Sequence, residues 1–308
     1  MIEVAAWWAG LLLPLVLATF GLATAAWDAV LVARDGKGPA RPAMGWPLRA
    51  AAGLLVQQRR RTVAADALLW RGGIGVLLVA AVLAALVTPL GRWVVADLSV
   101  GVVWFNAMEA VAWAAVWLVG WGANSAYGLV GGYRFVAQGL AYELPHMFAL
   151  ITAALGAESL RVADIVAAQQ SVWFVVWMPA AFVVYLASVL AMAFWGPFDH
   201  PVGRDIAGGA AAELSGVDRL LFSAGRWLLL VSGAAFAVPL FLGGGNGPLL
   251  PEWLWSVVKT VAVLGLLVWL RRRLPTVRME RYQEIAWMVL IPLTLVQALV
   301  VAVVLLVR

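Results

Sequence analysis

Long apolar runs recur along the chain, parted by short segments rich in Arg, Gly and Pro. A helix needs about 20 apolar residues to cross the hydrocarbon of a bilayer. By that measure eight spans are predicted, over 7–33, 68–90, 99–120, 135–157, 172–195, 219–243, 253–270 and 285–307. The first is not a cleaved signal peptide: it lacks a basic start, its apolar stretch is too long, and Asp28 interrupts its end. Between the first two spans the pattern changes. Two prolines keep 37–42 from being helical throughout. From Trp46 to Gln58, Leu48, Ala51, Ala52, Leu54, Leu55 and Val56 alternate with Arg49, Gln57 and Gln58. That suits a short amphipathic helix lying in the interface, with Arg59, Arg60 and Arg61 at the headgroups. The predicted fold is an all-α polytopic membrane protein, with eight transmembrane helices, this interfacial helix, and one membrane domain over 1–308.

Composition agrees. Hydrophobic residues are 64% and charged residues 12%, with a mean hydropathy of +0.95. A soluble chain is nearer half apolar and a quarter charged. A soluble enzyme, a disordered chain and a secreted disulfide scaffold are excluded. There are no cysteines, so no disulfide, iron–sulfur ligation, c-type haem attachment or thiol nucleophile comes from this chain. The net charge of +5 is not a nucleic-acid signal, because of where it sits. Loop one holds Arg34, Lys37, Arg41, Arg49 and Arg59 to Arg61; loop three holds Arg134; loop five holds Arg204 and reaches Arg219. Loop seven holds Arg271, Arg272, Arg273, Arg278 and Arg281. The even loops and the C-terminus hold only Arg92, Arg161 and Arg308. The positive-inside rule makes the odd loops cytoplasmic and puts both termini outside.

A charge at the centre of a span costs at least ~2.5–3.5 kcal/mol, so each needs a reason. Glu109 falls in span three, Glu143 and His146 in span four, Arg226 in span six and Lys259 in span seven. Either they form a polar track for protons or ions, or they pair internally. Glu143 is assigned to a track, Glu109 is open to both readings, and Arg226 and Lys259 are assigned to pairing with a carboxylate. Arg134, Gln138, Tyr142 and His146 are spaced by four and so line one helical face, with Glu143 on its flank. Pro145 removes a backbone hydrogen bond from that helix. His146 and His200 are the only histidines. With His200 in a loop, His146 reads as a hydrogen-bonding partner rather than a haem ligand. Loop five, from Trp195 to Gly216, has the small residues and scattered carboxylates of a compact segment, without defining a chemistry.

An ordered series of motifs resembles the H subunit of bacterial NADH:quinone oxidoreductase, the counterpart of complex I subunit 1. Gly120-Trp121-Gly122-Ala123-Asn124-Ser125-Ala126-Tyr127, Arg134, Ala137-Gln138 and Tyr142-Glu143-Leu144-Pro145 match its third-to-fourth-helix segment. Pro197-Phe198-Asp199 and Glu213-Leu214-Ser215-Gly216 match its fifth loop. Leu240 to Gly244, Lys259, Trp269-Leu270-Arg271, Leu274-Pro275, Arg278, Trp287 and Pro292-Leu293 match its C-terminal third. The likeness is clearest over 97–295. The same superfamily includes the membrane anchors of energy-converting hydrogenases.

The resemblance implies a multi-pass subunit of the bacterial plasma membrane, with no redox centre, no metal and no covalently bound cofactor. Quinone would be a substrate shared with iron–sulfur peripheral-arm subunits; antiporter-like and small membrane subunits, and lipid, would be the other partners. It implies a proton path through Glu143, Asp199, Glu213, Glu109 and Asp205. It implies a quinone chamber formed or supported by Phe198, Pro197, Arg134, Gln138, Tyr142 and Arg204. Arg271, Arg272, Arg273 and Arg278 would face the peripheral arm or anionic lipid. Alone, the chain would be inactive. Departures from the family pattern point to a divergent paralogue, altered in donor, quinone handling or pumping. The Glu-Arg-Lys usual at the end of the first helix is Trp27-Asp28-Ala29-Val30, and Lys-Glu after the amphipathic helix is Arg59-Arg60-Arg61. The acid-rich run after Pro-Phe-Asp is Val202-Gly203-Arg204, and the acid of the sixth helix falls at Gly225, beside Arg226. The rival readings are a hydrogenase or ferredoxin-linked anchor, a stand-alone transporter, and a scaffold whose acids merely pair. The paired broken helices of a transporter with two related halves are not visible.

Overall fold

The computed structural model describes residues 2–36 and 38–307; Lys37 and Arg308 lie outside the described residues. Helices form where the apolar runs predict them, with ends set by local chemistry. The first, α1, covers Ala9–Asp35. Next, α2 (Ala40–Met44) starts directly after Pro39 and carries Pro42 in its first turn, where a missing N–H breaks nothing. The short helix expected in loop one is α3 (Trp46–Val56). The Asp66 carboxylate accepts from the Leu68 and Leu69 N–H groups at 2.9 and 3.1 Å and so caps α4 (Ala67–Ala85). A hairpin of α5 (Gly101–Gly122) and α6 (Ala126–Gly156) follows. Its backbones touch: a Cβ on Gly120 would overlap the Gly128 carbonyl oxygen. Small residues let membrane helices approach this closely.

Beyond the hairpin come α7 (Val162–Ala168), α8 (Phe174–Trp177), α9 (Pro179–Met192), α10 (Gly216–Phe241) and α11 (Glu252–Arg273). The last helix is α12 (Met279–Ile285), a π turn over Ala286–Leu290, and α13 (Ile291–Val307). Six segments are both long and apolar enough to cross a membrane: α1, α4, α5, α10, α11 and the continuous Met279–Val307 unit. The chain is an all-α multi-pass membrane protein, its only strands a two-residue parallel pair of β1 (Glu3–Val4) with β2 (Trp93–Val94) among the described residues.

Three expected spans differ from what forms. The run 172–195 is not one helix. Met178, with ψ of 46°, leaves the helical region before Pro179, and α9 is only 14 residues; the proline ring crowds the residue before it out of the α region. Before the break, Gln169 ties the start of α8 to the end of α10, accepting from the Phe174 and Gly243 N–H groups at 3.1 and 3.0 Å and donating to the Pro239 carbonyl at 2.7 Å. The run 135–157 is the latter part of a 31-residue helix, α6, which is not among the six because its polar stripe dilutes its hydropathy. The last helix begins at Met279 rather than near 285.

In the bundle α4 packs against α5 and α10, and α6 against α5, α9 and α13. At one end, loop one docks on loop five and on the α5–α6 turn. The Arg60 N–H donates to Ser215 Oγ at 2.7 Å, and Asn124 Nδ2 to the Val63 carbonyl at 3.0 Å. This end carries the arginines of loops one, five and seven.

Candidate functional site

The four-residue spacing predicted for α6 is realised as a polar column. Its twelve-residue reach from Arg134 to His146 spans about 18 Å at 1.5 Å per residue. Arg134 is half-buried, Gln138 is 1% exposed, and Tyr142 and His146 are fully buried. The helix is continuous through Pro145.

The basic end of the column is a clamp on loop five. Arg134 Nη1 lies 2.7 Å from Asp205 Oδ2 and donates to the His200 carbonyl at 3.3 Å. Gln138 Nε2 donates to the Ala191 and Phe198 carbonyls at 2.8 and 3.0 Å. Ser125 Oγ, at the start of α6, donates to Glu213 Oε1 at 2.8 Å. The hydrogen bond from Arg134 holds the Asp205 carboxyl below its usual range. Burial, and then the Arg134 charge, push the His200 imidazole down. Phe198 turns inward onto Tyr282, with ring centroids 4.3 Å apart. Pro197 is buried beside it, its carbonyl accepting from the Val277 N–H at 2.9 Å. Asp199 makes no side-chain hydrogen bond among the described residues, and Arg204 is exposed. Asp205 and Glu213 are therefore tied to the start of α6 and are not gathered with Glu143.

The inner part of the column is a cluster of carboxylates and rings. Glu109 on α5 is 1% exposed. Its Oε1 lies 3.2 Å from His146 Nε2, but the two are not aligned for a hydrogen bond. Among the described residues neither Glu109 oxygen nor either His146 nitrogen has a partner. One turn away Asn106 Nδ2 donates to Glu143 Oε1 at 2.7 Å, leaving Glu143 Oε2 unpaired. Tyr142 Oη and Trp113 Nε1 are also buried without partners. Most buried polar atoms in proteins are satisfied, so this concentration of unpaired ones in an apolar bundle singles the cluster out. Asn106 does not stand out in the sequence; its spacing of three from Glu109, which puts both on one face of α5, is the signal that finds it.

The other intramembrane charges correct the pairing expected of them. No carboxylate meets Arg226 or Lys259 among the described residues. Arg226 donates to the Phe194 carbonyl and lies over the Trp195 ring, 4.1 Å from its centroid. Lys259 Nζ donates to the Leu242, Gly244 and Asn246 carbonyls at 2.6, 2.9 and 2.7 Å and sits 4.1 Å from the Trp173 centroid. Carbonyl dipoles and aromatic faces take the place of a counterion here. The basic run at the end of α11 is likewise divided. Arg271 Nη1 lies 2.7 Å from Asp28 Oδ2; Arg272 lies 3.1 Å from Asp28 Oδ1 and 2.9 Å from Asp35 Oδ2. These two turn inward to α1 instead of outward to lipid or a partner. Arg273 and Arg278 stay exposed. In the sequence Asp28 marks only the end of a span, although an acid within a span is itself the signal of a partner.

The family model described as NADH dehydrogenase matches residues 10–302. The first of the NADH-quinone oxidoreductase H subunits of Geobacter metallireducens is 36% identical over 289 residues, which are 89% of this chain and 88% of that protein. The second H subunit of Geobacter sulfurreducens is 40% identical over 218 residues, 70% of this chain and 66% of the relative. The H subunit of Carboxydothermus hydrogenoformans is 37% identical over 216 residues, 68% of this chain and 62% of the relative. The matched stretch thus spans just under two thirds of the latter two relatives and most of the first. By the extent of the family match and the identity sustained along a polytopic helical chain, the protein belongs to the NADH dehydrogenase family.

Proposed function

We propose that the chain is a membrane subunit of a complex I-type quinone oxidoreductase, and that its α6 column begins a proton path. The observation that carries this is the inner cluster: Glu109 and His146 fully buried and Glu143 half-buried beside them, with unpaired polar atoms, in an apolar bundle. Unsatisfied buried carboxylates are costly, and a path that changes their protonation gives that cost a use. Glu143 and Glu109 are its intramembrane acids. Asp199, Asp205 and Glu213 stand at its entrance on loop five. Pro197, Phe198 and Arg204, with Arg134, Gln138 and Tyr142 behind them, form or support one wall of the quinone chamber. The fit of Arg134 and Gln138 to loop five supports a positioning role for those two: they fix the loop rather than touch quinone.

In this reading α6 and the broken α8–α9 unit complete eight crossings, and α3 lies in the interface. The arginine-rich end faces the cytoplasm of a bacterium, and both termini are outside. The chain holds no redox centre, so electrons reach quinone from iron–sulfur subunits, and antiporter-like subunits carry the protons onward. Arg273 and Arg278 are the members of the basic run free to meet the peripheral arm or lipid.

Two measurements test this. A mild-detergent pull-down of the tagged chain should bring down iron–sulfur and antiporter-like subunits; a chain that purifies alone would refute the assignment. In vesicles holding the whole complex, Glu143→Gln should keep assembly and abolish proton transport. Unchanged transport would remove Glu143 from the path.

A further inference from the structure

His146 stands between two carboxylates. Glu109 faces it from α5, 3.2 Å from Nε2. Glu143 precedes it by three residues on α6, a spacing that makes the two side chains neighbours, with about 5–6 Å between Cβ atoms. The ring is fully buried, and neither nitrogen has a hydrogen-bond partner among the described residues. What surrounds it is aromatic. Tyr185 on α9 stacks on it, with centroids 5.2 Å apart and planes 29° apart; Phe105 and Tyr142 lie at 6.4 and 6.5 Å. The Tyr185 hydroxyl is committed to the Gly233 carbonyl at 2.8 Å. From α10 the groups that reach this layer, the Gly233 carbonyl, Phe236 stacked behind Phe105 at 4.0 Å and Phe241 at 5.6 Å from Tyr185, are not ionisable. The ionisable groups facing the imidazole are therefore Glu109, Glu143, Tyr142 and Tyr185.

We infer that His146 is a proton relay between Glu143 and Glu109. This rests on the proton-path reading above and adds to it a residue that is neither of the acids. The chemistry favours imidazole at this point. A carboxyl accepts and releases a proton at one end, whereas imidazole has two nitrogens on different edges of one ring and can accept at one and donate from the other. The Glu143 carboxyl gives its proton to the ring nitrogen nearer to it, leaving a carboxylate and an imidazolium. The imidazolium gives the Nε2 proton to the Glu109 carboxylate, leaving a neutral ring in the other tautomer and a Glu109 carboxyl. One proton has moved from α6 to α5, and the net charge of the three groups is unchanged. The reverse order carries a proton the other way. Two features of the geometry suit a moving proton better than a fixed pair: the 3.2 Å contact lacks hydrogen-bond alignment, and Asn106 holds only one Glu143 oxygen, leaving the other free.

The test compares His146→Gln and His146→Glu in vesicles containing the whole complex, with NADH as donor and a short-chain quinone as acceptor. Assembly, quinone reduction and transported protons per electron are read together. The expected result is assembly and quinone reduction in both variants, loss of transported protons in His146→Gln, and partial recovery in His146→Glu, whose carboxyl carries a proton. A wild-type ratio in His146→Gln overturns the relay. So does loss of transport in both variants with the complex assembled, because a purely structural histidine would give it. If His146→Gln does not assemble, His146→Glu decides alone: transport retained supports the relay and transport lost overturns it. If neither assembles, Glu109→Gln, which removes the relay's acceptor and keeps its shape, takes their place: transport lost supports the relay and a wild-type ratio overturns it. Glu143→Gln run alongside separates the two proposals. If it abolishes transport while His146→Gln does not, the relay falls and the path stands; if neither has an effect, both fall.

Discussion

Asp28→Ala is the perturbation whose size the structure sets best. Asp28 is the only carboxylate within ion-pair distance of Arg271 among the described residues, and it also meets Arg272, joining α1 to the end of α11. Removing one partner of a fully buried pair costs about 3–5 kcal/mol; an exposed pair is worth about 0–1 kcal/mol. The side chains of Asp28, Arg271 and Arg272 are 12%, 26% and 20% exposed, nearer the buried case. Two contacts soften the loss: Arg272 keeps Asp35 at 2.9 Å, and Arg271 keeps the Trp195 ring, 4.2 Å from its centroid. The expected cost is about 2–3 kcal/mol, below the buried-pair range. At roughly 2–4 °C per kcal/mol for a chain of this size, the melting midpoint should fall by about 4–12 °C. The assay is heat challenge of native membranes, with the tagged chain that stays detergent-soluble quantified by blot. Arg273→Ala, at an exposed position of the same run, is the control. Asp28→Ala combined with Arg272→Ala should be less damaging than the sum of the two, since they share one interaction. A midpoint equal to that of Arg273→Ala, or strict additivity, would refute the reasoning.

Lys259→Met should leave three carbonyls without their donor, at about 1–3 kcal/mol for each that stays dry. The 242–251 loop should then be cut faster by protease added from its own side of the membrane; an unchanged rate would show that the carbonyls find other partners. Gly131→Ala should weaken the seat of loop five on α6, because its Cβ would overlap the backbone at Gly209 and Ala210; a loss of about 1–3 kcal/mol is expected in the same heat assay. The docking of loop five should also weaken as pH falls. His200 is held below its ordinary value, so its neutral form favours the docked loop. That contribution is present above the unfolded histidine value of about 6.5 and is lost as pH drops through the lowered one. Asp205 is held down as well, so its bridge to Arg134 survives this range and fails only in stronger acid. Protease sensitivity of 199–215 between pH 8 and pH 5 reads the effect, and His200→Gln should flatten it.

How much is legible in the sequence depends on the range of the physics involved. Apolar run length reports where most of the long helices form without any tertiary contact, because crossing hydrocarbon is a condition each segment meets alone. The stripe on α6 is legible for the same reason. A spacing of four is a property of one helix, and Arg134, Gln138, Tyr142 and His146 share a face wherever that helix packs. The helix break at Met178 is local too, written in Pro179, but an unbroken apolar run from 172 to 195 conceals it. Partner choice is not legible. Asp28 and Arg271 are 243 positions apart, and only the packing of α1 beside α11 joins them. For Arg226 and Lys259 the sequence points to carboxylates, because opposite charge is the obvious partner. The bundle supplies carbonyls and aromatic faces, which offset part of a buried cation's lost hydration when they lie within reach. Glu109 and His146 are each readable as costly residues in a span. That the two face one another, with Glu143 one turn away, is decided only when α5 and α6 fold into a hairpin whose glycines let the backbones touch.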